Sequence, residues 1–224
     1  MARSAKLIFS VLAVLGASLY FFISPSTAFS PELVSSNLAP RPMWSIPDPT
    51  ASEAENLHTL LSQKFTFLGE GEQAIAFQSE DGKTVLKLFK MRKLTPSFRD
   101  KLCPHVVRRR LRNLQWVFNG YKNAFQDLRK ETGLVWIHLA KTKNLHQTLT
   151  VIDKTGTEHH IDADSTEFVI QEKAELIFHR LSRLRKEGKT SELEKAIASV
   201  HALIRHRIEK GYADRDSSSP SAIR

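Results

Sequence analysis

The sequence predicts an α+β protein: an antiparallel five-stranded sheet that carries one long helix and is followed by two or more further helices. Short apolar segments bounded by turn residues lie before residue 90 and again between residues 134 and 174. A long helical pattern separates the two groups, and two amphipathic patterns follow them. Hydrophobic residues make up 41% of the chain and include thirteen Phe, enough to form a buried core.

The strands are predicted from apolar runs and the turns between them. Phe65 opens a strand that ends at Gly69, and Asp81-Gly82 supplies a hairpin turn between the next two. These two strands span residues 75–78 and 84–89. Residues 134–140, 147–153 and 158–163 follow as strands, and 167–174 as a further strand or connector.

The helices are predicted from caps and apolar spacing. A helix begins at Ser52, a second at Thr95 with Pro96 in its first turn, and the long one runs from Pro104 to about Lys130. Gly188 ends the next helix. The last helix begins at a Ser191 cap and ends at Gly211, with six aliphatic residues at helical spacing, namely Leu193, Ile197, Val200, Leu203, Ile204 and Ile208.

The N-terminus predicts a signal peptide or a membrane anchor over residues 1–30. Arg3 and Lys6 precede an uncharged apolar run from Leu7 to Ile23, which as a hydrophobic helix reaches roughly 25 Å. Small residues at 26–28 would suit a signal peptidase, so both interpretations stand. Because the basic residues come before the run, the remainder is expected to be membrane-anchored on the exported side, or secreted.

The rest of the chain divides into three parts. Residues 31–52 form a proline-rich tether, since residues 24–52 carry six of the nine prolines. The folded domain spans residues 53–216, and residues 217–224 form a disordered tail with no apolar anchor.

Charge and composition limit the function classes. The formal charge is +9, and residues 92–112 hold eight Lys or Arg against one acid, Asp100. This surface could face phosphates, an anionic membrane or an acidic protein partner, but no motif for nucleic-acid binding accompanies it. Cys103 is the only cysteine and the nine His show no ligand spacing, so neither a disulfide nor a metal site is predicted.

The stretch "FTFLGEGEQAIAFQSEDGKTVLKLF" carries the candidate site. A glycine-rich turn between strands can place backbone N–H groups over phosphate oxygens, because small residues let a ligand approach. Gly69, Glu70, Gly71 and Ala74 occupy this turn, and Lys87 on a following strand would add a cation. Alternation places Lys87 on the face of Val85 and Phe89, where a charge requires a partner.

These residues resemble the protein-kinase-like superfamily. "LGEGEQAIAF" and "TVLKLF" are similar to its glycine loop and strand lysine, and "GYADRD" is similar to its catalytic-loop signature. The resemblance spans about residues 60–216. It implies ATP and Mg²⁺ as cofactors, a nucleotide-binding hinge at residues 167–174, and Asp216 as the catalytic base.

The chain departs from the family pattern at the metal-binding motif. The Mg²⁺-binding Asn would lie at Ser221, and the chain ends before an Asp-Phe-Gly segment. The acid that pairs with Lys87 would be Glu131 or Asp127. We therefore expect a truncated kinase-like protein that can hold a nucleotide but cannot catalyse phosphoryl transfer, because the metal neutralises most of the developing charge.

Other interpretations remain open. The chain is alternatively a membrane-tethered, non-catalytic binding module, or a basic surface for anionic lipid or nucleic acid. Residues 69–74 would then be an ordinary hairpin turn, Lys87 an edge-strand lysine that reaches solvent, and Asp216 a turn residue after a helix.

Overall fold

The computed structural model describes residues 29–36, 38–39, 41–96 and 103–212. The predicted α+β class is confirmed. Within these ranges, seven strands form one sheet, in the order β4-β7-β3-β2-β1-β5-β6. The strands are β1 (Lys64–Glu70), β2 (Ala74–Ser79), β3 (Thr84–Phe89), β4 (Leu134–His138), β5 (Thr148–Ile152), β6 (Glu158–Asp162) and β7 (Phe168–Glu172).

The prediction of a five-stranded antiparallel sheet is wrong in number and in direction. Strands β4, β7, β3, β2 and β1 are neighbours that pair antiparallel. The β5–β6 hairpin extends the sheet beyond β1, and β5 pairs with β1 in parallel, with Phe65 opposite Val151. A long connection is needed to bring β5 beside β1 in parallel, so turn signals next to either strand do not reveal this pairing.

The helices lie before, between and after the strands. The part of the chain that the structure describes contains α1 (Pro31–Val34), a 3₁₀ helix (Pro42–Trp44), α2 (Ala51–Leu61), α3 (Met91–Leu94), α4 (Pro104–Asp127), α5 (Arg129–Thr132), α6 (Ile177–Lys186) and α7 (Thr190–Glu209). Gly133, Gly188 and Gly211 follow α5, α6 and α7 with positive φ, as is common after a helix C-terminus.

Local capping differs from two predictions. Thr50 rather than Ser52 caps α2, through a reciprocal capping box with Glu53. The N–H of Thr95 donates to the Met91 carbonyl at the end of α3, and the helix predicted to begin at Thr95 falls on residues 97–102, outside the described residues. Helix α7 begins at Thr190 after Lys189, without a side-chain cap from Ser191.

Both faces of the sheet are covered. Phe65, Phe77, Leu88 and Phe168 lie on one face, together with the buried Leu61 of α2. The other face carries Phe89, Ile137 and Val169, which pack with Leu114 and Phe118 of α4. The predicted placement of Leu86 and Leu88 opposite Phe89 is confirmed, since they belong to different clusters.

The predicted tether, residues 31–52, takes part in this core, and the folded part begins before Ser52. Val34 and Trp44 are buried, and Ser35 forms an isolated bridge with Thr166. The Trp44 ring packs edge-on against Phe118 with centroids 4.8 Å apart. Burying aromatic rings this way outweighs the extended tendency of a proline-rich sequence.

The predicted apolar helix at residues 1–30 lies almost wholly outside the described residues. Within the described ranges, no helix has the length and apolar character needed to cross a bilayer. The predicted tail at residues 217–224 also lies outside them.

Candidate functional site

The turn between β1 and β2 is closed by a backbone hydrogen bond. The N–H of Gly71 donates to the carbonyl of Ala74 at 2.9 Å. This N–H is therefore engaged within the turn, and a phosphate could receive it only if the turn opened.

Neither turn glycine adopts the positive φ that favours glycine. Among the described residues, the glycines with positive φ are Gly82, Gly133, Gly156, Gly188 and Gly211. A Cβ built on Gly69 would meet nothing within 4 Å, and one on Gly71 would meet only the Ala74 carbonyl oxygen at 3.6 Å. Glycine here therefore leaves open space above the sheet rather than permitting an unusual backbone conformation.

A buried lysine that no sequence pattern marks holds this turn. Lys90 follows β3 and is 3% exposed. Its Nζ lies 2.5 Å from a carboxylate oxygen of Glu70 and donates to the Gly71 carbonyl, also at 2.5 Å. The hydrogen bond from Lys90 holds the pKa of Glu70 below its ordinary value. In the sequence, no pattern distinguishes the buried Lys90 from the exposed Arg92 and Lys93.

Lys87 is half-buried on the face of the sheet that packs against α4. Its Nζ donates to the side-chain oxygen of Gln171 at 2.6 Å, and the Gln171 amide donates to the Thr132 carbonyl at 2.6 Å. Burial lowers the pKa of Lys87. Lys87 therefore has a partner, as predicted, but that partner is a neutral amide from β7.

The two predicted acid partners of Lys87 are engaged elsewhere. The Tyr212 hydroxyl donates to the carboxylate of Asp127. A Glu131 carboxylate oxygen lies 3.5 Å from Nε2 of His206. Both acids contact the end of the chain's last described helix, so the expectation that one of them pairs with Lys87 is wrong.

The sheet register brings the glycine turn and the lysine onto adjacent strands. Gly69 pairs with Ala76, and Ala76 pairs with Lys87, so the three residues form one row across β1, β2 and β3. With strands about 4.8 Å apart, Gly69 lies roughly 10 Å from the backbone of Lys87. The small residues leave room along the sheet beside the lysine, and all three are partly exposed.

Ala74 extends the same surface toward the helix. It pairs with Phe89, which shares its sheet face with Lys87, and it packs with the cluster that contains Tyr121. The structure thus brings Gly69, Ala74 and Lys87 together. Asp216 lies outside the described residues, so its relation to them stays a prediction.

The residues around this row fit an anion better than a divalent cation. Mg²⁺ prefers carboxylate and phosphate oxygens, whereas Lys87 and Gln171 offer an ammonium and an amide. Glu70 is held by Lys90. Within the described residues, no group of three or more His, Cys, Asp or Glu is arranged to hold a metal ion.

A cavity that the sequence did not predict lies at the β4 edge of the sheet. It has a volume of about 260 Å³ and is lined by Trp44, Trp136 and His138, among others. The indole N–H groups of both tryptophans are buried without a hydrogen-bond partner among the described residues. Its lining comes from segments far apart in sequence, so no local pattern could reveal it.

His138 connects this cavity to a polar network. Its ring nitrogens lie 2.7 Å from the Thr166 carbonyl and 3.0 Å from the Thr142 hydroxyl, which in turn lies 2.6 Å from the Asp164 carboxylate. Burial lowers the pKa of His138. The Asp164 carboxylate also accepts three backbone N–H groups, so the network fixes the loop of residues 142–146 against the sheet.

The comparisons with known proteins identify no relative. No protein-family model matches the chain, and no curated protein or solved structure matches it either.

Proposed function

We propose that this protein contains a kinase-like lobe that binds the phosphate groups of a nucleotide at Lys87 without transferring a phosphoryl group. The observation that carries the proposal is the pairing of the half-buried Lys87 ammonium with a neutral amide, Gln171. A partly desolvated cation without a neighbouring carboxylate attracts an anionic ligand.

The row beside Lys87 provides space for such a ligand. Gly69 and Ala76 carry no bulky side chain, and a Cβ at Gly69 would meet no atom within 4 Å. A phosphate resting on this row would contact the ammonium. Opening the Gly71–Ala74 hydrogen bond would add a backbone N–H donor to the same site.

The order of the elements supports the kinase-like part of the proposal. Strands β1, β2 and β3 precede the long helix α4, and β4 and β7 complete an antiparallel set of five neighbours. The connector after β7 leads to two helices, as the resemblance implies. The apolar N-terminal segment supports placing this lobe on the exported side of a membrane.

The absence of an acidic partner for Lys87 within the described residues supports a non-catalytic role. In kinases the strand lysine pairs with a helix glutamate, and this pair must be in place for transfer. Helix α4 has no acidic residue in its first turn, and Asp127 at its end binds Tyr212.

A second candidate, a membrane-tethered binding module, is favoured by the surface of α4. Arg108, Arg109 and Arg112 are exposed at the start of this helix. A basic surface of this kind attracts anionic lipid or an acidic protein partner.

Thermal unfolding of the full chain in mild detergent separates the two candidates. ATP at a hundredfold excess over its dissociation constant stabilises a binding protein by about 2.7 kcal/mol. We expect an increase in Tm on the order of 5 °C in the parent and in Lys83→Met, an exposed control, and no increase in Lys87→Met. Equal Tm values with and without ATP in the parent would reject nucleotide binding.

A further inference from the structure

A stripe of exposed aliphatic side chains runs along α7. Ile197, Ile204 and Ile208 are 41%, 42% and 63% exposed, and they follow one another at helical spacing. Only Ala196 of this 20-residue helix is fully buried, where α7 packs on α6. The three isoleucines project on a different side of the helix from Ala196, toward solvent.

The charges beside this face are arranged in a self-complementary way. Glu194 and Arg205 are exposed, and among the described residues neither side chain has a hydrogen bond or an ion pair. They lie eleven residues apart, which is about three helical turns, so they project along the same flank of the isoleucine stripe. Because each residue of a helix is rotated by about 100° from the one before, Lys195 and Glu209 point away from the stripe.

We propose that this face of α7 binds the same face of a second copy of the chain, with the two helices antiparallel. A two-fold axis near residue 200 places Glu194 of each copy beside Arg205 of the other, which forms two equivalent ion pairs. The same axis packs Ile197 of one copy near Ile204 of the other. This interface covers the apolar stripe, and it does not depend on the proposed nucleotide binding.

Two neighbouring positions near the two-fold axis, one on the stripe side of α7 and one away from it, allow a direct test of this interface. His201 lies on the stripe side near the axis, whereas its exposed neighbour Ala202 projects about 100° further round the helix, away from the stripe. In the full chain with Cys103→Ser, His201→Cys should form a disulfide-linked dimer under mild oxidation. Ala202→Cys is the matched control and should give at least fivefold less crosslinked product.

Charge reversal then tests the ion pairs. In the His201→Cys background, Glu194→Arg and Arg205→Glu should each reduce crosslinking at least fivefold. The double variant should restore it to within twofold of the parent, since the pair is re-formed with opposite polarity. Crosslinking that is equal at positions 201 and 202, or a double variant no better than either single one, would overturn the proposal and leave the face to a different partner.

Discussion

The sheet and the helical hairpin of α6 and α7 differ in how completely they bury their apolar residues. Helices and the N-terminal segment cover both faces of the sheet, and Phe65, Phe77 and Phe118 are 0% exposed. The hairpin buries Leu184 and Ala196, while its aliphatic stripe stays in solvent. The sheet therefore has a core of its own, whereas the outer face of the hairpin provides a surface for association.

The largest difference should appear when one apolar residue is truncated in each region. Phe118→Ala removes a ring that touches Trp44 and Phe89 and should lower the free energy of unfolding by about 3–5 kcal/mol. Ile204→Ala should change it by less than about 1 kcal/mol at concentrations where the chain is monomeric, because that side chain is already exposed. Urea unfolding of both variants measures the two losses in free energy of unfolding. Similar losses would mean that the sheet and the hairpin do not differ in how they bury apolar residues.

The turn of residues 69–74 should depend strongly on Lys90. Lys90→Met leaves the Gly71 carbonyl without its donor and should cost about 2 kcal/mol. Lys93→Met, an exposed control, should cost less than about 0.5 kcal/mol. The measurement is again urea unfolding, and equal effects of the two substitutions would mean that Lys90 does not hold the turn.

A pH series distinguishes the buried acid near the N-terminal segment from those at the surface. Burial raises the pKa of Glu167, which accepts a hydrogen bond from Ser36. Its contribution to stability is therefore complete at low pH and is lost as the pH rises above the ordinary carboxyl value. As the pH rises from 4 to 8, the Tm of Glu167→Gln should increase by a few degrees relative to the Tm of the parent. Glu172→Gln, at an exposed position, is the control, and its Tm should follow that of the parent. A Tm difference between Glu167→Gln and the parent that stays constant from pH 4 to pH 8 would contradict a raised pKa of Glu167.

The smallest effect should come from the glycine turn itself. Gly71→Ala should change the free energy of unfolding by less than about 0.5 kcal/mol, since its φ is not positive and space is available. Gly133→Ala should cost more, about 1–2 kcal/mol, because φ is +64° and a Cβ would lie 3.3 Å from Glu172. Differential scanning calorimetry resolves the two, and a larger loss at Gly71 would show that the turn needs glycine for its conformation.

Local chemistry predicted the elements whose signals lie within a few residues. The Asp81-Gly82 turn, the bounds of β3 and the glycines that follow the helices were all confirmed. Failures came where distant segments meet. The parallel pairing of β1 with β5, the burial of Trp44 and the Gln171 partner of Lys87 each depend on residues at least 70 positions apart.

The candidate site shows the same division. The sequence pattern predicted that the bend of residues 69–74 and Lys87 share an anion pocket; the register places Gly69, Ala74 and Lys87 on one face of the sheet, and the pocket itself stays a prediction. The sequence pattern could not show that Lys90 is buried against Glu70, because the residues that follow Lys90 are equally basic and yet exposed. The burial of Lys90 is set by the position of the turn relative to the end of β3.

The most direct test of the central claim is the equilibrium affinity for ATP, measured by dialysis with the parent chain and with Gln171→Glu. The new carboxylate would lie where the amide now contacts Lys87 and would neutralise the ammonium. We expect Gln171→Glu to lower the affinity for ATP at least tenfold while the circular dichroism spectrum stays unchanged. An affinity that is unchanged or higher in this variant would contradict the claim that an unneutralised Lys87 forms the anion site.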